Sequence, residues 1–100
     1  MGWASFHIEK LKHGETVQFR PRGDSMKGRI SSGRLCTVAP VDIYSLSVGD
    51  IVLCRVRGCE YLHLIKAIDG KRFQIGNNKG HINGWIGPEA IYGKLIRVEV

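Results

Sequence analysis

The 100-residue chain carries a net charge of +6 with an apolar fraction of 43%. That length suits one domain spanning 1–100 with one modest core, and that apolar content suits folding rather than disorder. The longest aliphatic run, Ile51-Val52-Leu53-Cys54, is too short to cross a bilayer. Met1-Gly2-Trp3-Ala4-Ser5 has neither the basic stretch nor the apolar block of a signal peptide. A soluble, cytoplasmic, membrane-free protein is therefore expected.

Thr16 to Arg20 reads as the first strand. Gly23-Asp24-Ser25-Met26 follows it, with a helical turn expected from Ser25 to Ile30. Arg34 to Val38 is a second strand, ended by Pro40. Ser47-Val48-Gly49-Asp50 is a turn ahead of a strong strand from Ile51 to Arg57. Gly58-Cys59 returns the chain into Tyr61 to Ile68, and Asp69-Gly70 is the clearest hairpin signal. Arg72 to Ile75, Gly84 to Ile86 and Ile91 to Val100 complete the strands, with a second helical turn at Pro88-Glu89-Ala90. Helical periodicity is otherwise nearly absent, so the expected fold is all-β, built of short strands and hairpins.

Cys36, Cys54 and Cys59 are odd in number and lack a Cys-x-x-Cys spacing, which argues against a disulfide framework and a zinc site. Cys36 and Cys54 lie in apolar runs and suit a core; Cys59, between Gly58 and Glu60, suits the surface. Arg20, Arg22, Lys27, Arg29 and Arg34 form a loose basic cluster with no aromatic residue interleaved. A solvated surface is the favoured reading there, and nucleic acid is not the expected partner. His7, His13 and His81 read as surface residues, Tyr44 and Tyr92 as packing or rim residues, and Trp85 as core in preference to a groove wall.

The chemistry-bearing motif is Gly23-Asp24-Ser25-Met26. Glycine permits a sharp bend, and the start of a helical turn leaves free N–H groups converging on one spot. Such donors can stabilise the oxyanion of acyl transfer. Taken alone, Gly-Asp-Ser is ordinary turn composition. A serine hydroxyl also needs a base, and two candidates, His63 and Lys66, stand on one predicted strand. Their spacing sends them to opposite faces of a regular strand, so only one can meet Ser25 unless a bulge intervenes.

The order of motifs adds to this. Gly23-Asp24-Ser25-Met26, Gly49-Asp50-Ile51-Val52, a polar-headed strand closed by Asp69-Gly70, Asn77-Asn78, and Ile91-Tyr92-Gly93-Lys94-Leu95 occur in series over about residues 16 to 99. The series resembles the serine peptidase superfamily of LexA-type repressors, phage repressors and signal peptidases. The resemblance implies the LexA/signal-peptidase fold and a Ser-Lys or Ser-His dyad with Ser25 as nucleophile. It further implies that Gly23, Asp24 and Met26 sit at the substrate groove, that the Ser25 N–H is an oxyanion donor, and that no cofactor is needed. In that family about seven residues separate the base from the glycine of the next turn. Counting back from Gly70 reaches His63, so His63 is expected to face Ser25, with Lys66 the alternative.

The expected activity is cleavage of peptide bonds in another chain, with a polypeptide as substrate. No Ala-Gly or Cys-Gly bond precedes Ser25, so self-cleavage of the repressor kind is not expected. The competing reading is an inactive peptidase-fold module for protein interaction or for transcriptional or phage regulation, with a second copy in a homodimer among its candidate partners. A fold match does not by itself establish chemistry.

Overall fold

The structure is a computed structural model, and it describes residues 2–100. It is mainly β: seven antiparallel strands with one short α-helix. The strands are β1 (Val17–Phe19), β2 (Leu35–Ala39), β3 (Ile51–Val56), β4 (Cys59–Asp69), β5 (Arg72–Gly76), β6 (Ile82–Ile86) and β7 (Ile91–Glu99). They form one sheet in the order β1-β2-β7-β3-β4-β5-β6. Single 3-10 turns cover Ile43–Ser45 and Pro88–Ala90.

Two tight hairpins set the register in the middle of the sheet. Val56 pairs with Cys59, leaving Arg57-Gly58 as the turn, both with positive φ (51° and 81°). This is the conformation whose twist matches a two-residue hairpin. Asp69 pairs with Arg72, and Gly70 takes φ 59° at the turn. The strands follow alternation wherever both sheet faces are covered. On β3, Ile51 and Leu53 enter one apolar cluster, whereas Val52, Cys54 and Val56 enter the other. Leu53 and Val52 are wholly buried, which for side chains of this kind contributes about 1.5–3 kcal/mol each.

The α-helix, α1 (Ser5–Lys12), is absent from the sequence reading. Ala4, Ile8 and Leu11 form its buried stripe, and they join Met26 and Ile30 over the first cluster. Its start carries no local signal because Ala4 stands at the cap position, where it has no capping side chain. The cap comes from β4. Glu60 Oε1 accepts the Ala4 N–H at 2.9 Å, and Ser5 Oγ donates to Oε2 at 3.3 Å. Arg55 Nη2 lies 2.6 Å from the same carboxylate. Burial pushes the Glu60 carboxyl upward, but the Arg55 ion pair and the helix N–H outweigh it and hold the group below its ordinary value.

Trp85 is a correction to the sequence reading. It is 40% exposed on β6, an edge strand with only one neighbour, and so is not a core residue. Cys36 and Cys54 are buried and Cys59 is exposed, all three as free thiols. No helix among the described residues is long and apolar enough to cross a membrane.

Candidate active site

Ser25 sits on a compact turn between β1 and β2. Met26 O accepts from the Arg29 and Ile30 N–H groups, and Asp24 O from Lys27 N–H. This helical winding puts Met26 and Ile30 on one side, where both are buried, and leaves Ser25 exposed. Gly23 and Gly28 bracket the turn at φ 113° and 97°, backbone angles that a side chain disfavours. None of the turn's hydrogen bonds uses the N–H of Ser25 or Met26. Within the turn those two donors have no partner.

The turn is clamped from the far side of the fold. Asn78 N–H donates to Ser25 O at 3.0 Å, and Asn78 Nδ2 donates to Lys27 O at 2.8 Å. Asn77-Asn78 is therefore the part of the β5–β6 connection that fixes the serine-bearing turn.

His63 lies on β4 opposite Val52 of β3 and is 6% exposed. Its Nε2 is 3.1 Å from Ser25 Oγ, and its Nδ1 is 2.8 Å from Asn83 Oδ1. An amide oxygen only accepts, so Nδ1 carries the proton and Nε2 presents its lone pair to the serine hydroxyl. Burial is the first of the causes that push the Tyr61 phenol above its ordinary value. The Tyr61 ring lies 4.7 Å from the His63 ring, centroid to centroid. Burial is the main cause that pushes the His63 pKa below 6.5; nearby His81 adds to the shift, and the Asn83 hydrogen bond opposes it. The imidazole is accordingly neutral at pH 7, the state a general base requires.

Asn83 reaches His63 because β6 carries a bulge. Gly84 pairs with Ile75 and Ile82 with Gly76, which makes Asn83 the extra residue. A bulge re-aims a side chain that a regular ladder would send elsewhere. Nothing in the residue order Ile82-Asn83-Gly84-Trp85 marks Asn83, and the sequence reading did not include it.

Lys66 occupies a second bulge, between the Ile65–Ile75 and Ala67–Gln74 pairs. Its stem lies against Gly76, where an added Cβ would stand 3.0 Å from the lysine Cγ. Its ammonium donates to Asn77 O at 3.3 Å. Of the two candidate bases, His63 is the one that touches Ser25.

A cavity of about 500 Å³ opens beside Ser25. Gly23, Ser25, Met26 and His63 border it, together with Trp3, His7, Phe19, Arg20, Arg22 and Tyr61. Asp24 is exposed and does not line it. His7 is a second correction: it is half-buried and stacks on Phe19 at 4.6 Å. Among the described residues no group of three or more His, Cys, Asp or Glu side chains is placed to hold a metal ion. No protein-family model matches the chain, and no curated protein matches it.

Proposed function

We propose that the protein is a serine peptidase in which Ser25 is the nucleophile, His63 the general base and Asn83 the group that orients the base. The observation that carries this reading is the pair of hydrogen bonds on His63, to Ser25 Oγ at 3.1 Å and to Asn83 Oδ1 at 2.8 Å. A nucleophile within hydrogen-bond reach of a base that is itself oriented by a third group is the usual signature of an activated serine. The series of sequence motifs supports the same reading, with the sheet a variant of the LexA/signal-peptidase fold.

In the proposed reaction, Ser25 Oγ attacks the carbonyl carbon of a peptide bond and its proton passes to His63 Nε2. The N–H groups of Ser25 and Met26 face the tetrahedral oxyanion. The C–N bond then breaks, and His63 returns the proton to the departing amine. Water repeats the cycle on the acyl-enzyme: its proton goes to His63, its oxygen to the acyl carbon, and Ser25 is regenerated. Lys66 takes no part in this scheme.

A fluorophosphonate probe tests the proposal without a known substrate. The wild-type protein is expected to label at Ser25 and Ser25→Ala not to label. His63→Ala is expected to slow labelling by about 10²–10⁴, the usual contribution of a general base. Lys66→Met is expected to stay within roughly threefold of wild type, since that side chain does not touch the reacting atoms. An unlabelled wild-type protein that self-associates instead supports the inactive interaction module. Loss of labelling in Lys66→Met with retention in His63→Ala overturns the assignment of the base.

A further inference from the structure

The wall of the cavity next to Ser25 has a mixed chemistry. Trp3 and Phe19 meet at 5.4 Å between ring centroids, yet Trp3 keeps 52% of its surface exposed. Tyr61 and Leu62 continue this apolar wall toward His63. A cleft of about 500 Å³ lies within the roughly 300–1,000 Å³ that small ligands and side chains occupy. An exposed tryptophan on an aromatic shelf is the kind of anchor that interfaces use.

Of the three formally charged side chains on the wall, two are arginines. Arg20 and Arg22 are both exposed and both line the cavity. Arg20 spends one N–H on Gly33 O, which orients its guanidinium without neutralising it. Glu60 is the only carboxylate in the lining, and its oxygens are already engaged by Arg55, Ala4 N–H and Ser5 Oγ. Burial, and then the nearby Lys10, push the His7 pKa below its ordinary value. The cleft therefore offers an apolar shelf beside two arginines that form no ion pair among the described residues.

Resting on the peptidase reading, we infer that this cleft selects polypeptide segments in which a bulky apolar or aromatic residue stands beside an acidic residue. The side chain packs on Trp3, Phe19 and Tyr61, and the carboxylate meets Arg20 and Arg22. Guanidinium groups bind carboxylates through paired N–H bonds, so the preference is for a carboxylate over a neutral polar group as well as over a cation.

The test measures binding apart from catalysis. Full-length Ser25→Ala protein is titrated with fluorescein-labelled octapeptides that carry Phe-Asp, Phe-Lys, Phe-Ser or Ala-Asp at the centre. Fluorescence anisotropy gives affinity, and the Trp3 indole N–H resonance reports the location. The Phe-Asp peptide is expected to bind about tenfold more tightly than each of the others, with the Trp3 resonance shifting. In Arg20→Ser/Arg22→Ser the advantage of Asp over Lys is expected to vanish while that of Phe over Ala persists. Added salt is expected to erode the first advantage and spare the second. Equal binding of Phe-Asp and Phe-Lys, or of Phe-Asp and Ala-Asp, overturns the inference, as does binding that leaves Trp3 unshifted. A single-stranded oligonucleotide that displaces the peptide at lower concentration also overturns it and makes nucleic acid the occupant. The outcome is separable from the catalytic proposal. Probe labelling of Ser25 without this peptide preference sinks the selectivity alone; the preference without labelling sinks the catalysis alone.

Discussion

Asn83 Oδ1 stands 2.8 Å from His63 Nδ1, and Asn83 is the bulged residue of β6. The side chain that sets the tautomer of the candidate base is thus supplied by a local irregularity in a neighbouring part of the sheet. The consequence is directly measurable. Nitrogen-15 spectra of the His63 ring are expected to show the Nδ1–H tautomer in the wild-type protein and a mixture in Asn83→Leu. Labelling of Ser25 is expected to fall in Asn83→Leu by part of the ~10²–10⁴ that the base itself contributes. Asn83→Asp is expected to restore labelling and to raise the pH at which it is half-maximal, because a carboxylate favours the imidazolium. An unaltered tautomer in Asn83→Leu sinks the positioning role.

The pH dependence follows from the buried imidazole. The His63 pKa lies below 6.5 in the folded protein, chiefly through burial. Ser25 labelling is expected to rise with pH and to reach half its plateau below pH 6.5, then stay flat through pH 8. The same shift links folding to pH. Folding favours the neutral ring, so this contribution to stability is complete above the unfolded value and is lost as pH falls through the folded one. Denaturant midpoints measured between pH 4.5 and 7.5 are expected to fall on the acid side, and to fall less in His63→Gln.

Glu60 sets a third prediction. Its carboxylate caps α1 and binds Arg55. Glu60→Gln keeps the shape but removes the charge, and losses of helix caps cost about 0.5–2 kcal/mol. A thermal midpoint lower by several degrees is expected, since about 1 kcal/mol moves it roughly 4–8 °C in a chain of this size. Because the folded Glu60 value is depressed, the wild-type advantage is present above the unfolded carboxyl pKa and is lost as pH falls through the folded one. Equal thermal midpoints at pH 7 contradict the capping role.

The cysteines give a fourth check. Burial pushes the Cys54 thiol up to about 12 and raises Cys36 as well. A neutral-pH thiol reagent is expected to modify Cys59 in the native protein and all three only after unfolding. Rapid native modification of Cys54 would mean that β3 is not held at the centre of the sheet.

The sequence by itself determined the β character, both tight hairpins and the serine turn. Each is encoded over a few neighbouring residues: alternation in Ile51 to Arg57, Asp69-Gly70 at a turn, and Gly23 ahead of Ser25. The expectation that His63 rather than Lys66 faces Ser25 came from the family's spacing back from Gly70, with Lys66 kept as the alternative. Four features depended on tertiary structure. The helix from Ser5 to Lys12 needs a cap that arrives from Glu60 on another element. Asn83 becomes a partner of His63 only through the β6 bulge, and a second bulge at Lys66 removes the simple parity argument there. Trp3 and Tyr61 are distant in the chain from Arg20 and Arg22, yet the fold sets all four on one cavity wall. Local backbone preference acts over two to four residues and can be read in order. Caps, bulge directions and shared pocket walls are contacts between distant residues, and they exist only once the sheet has closed the distance.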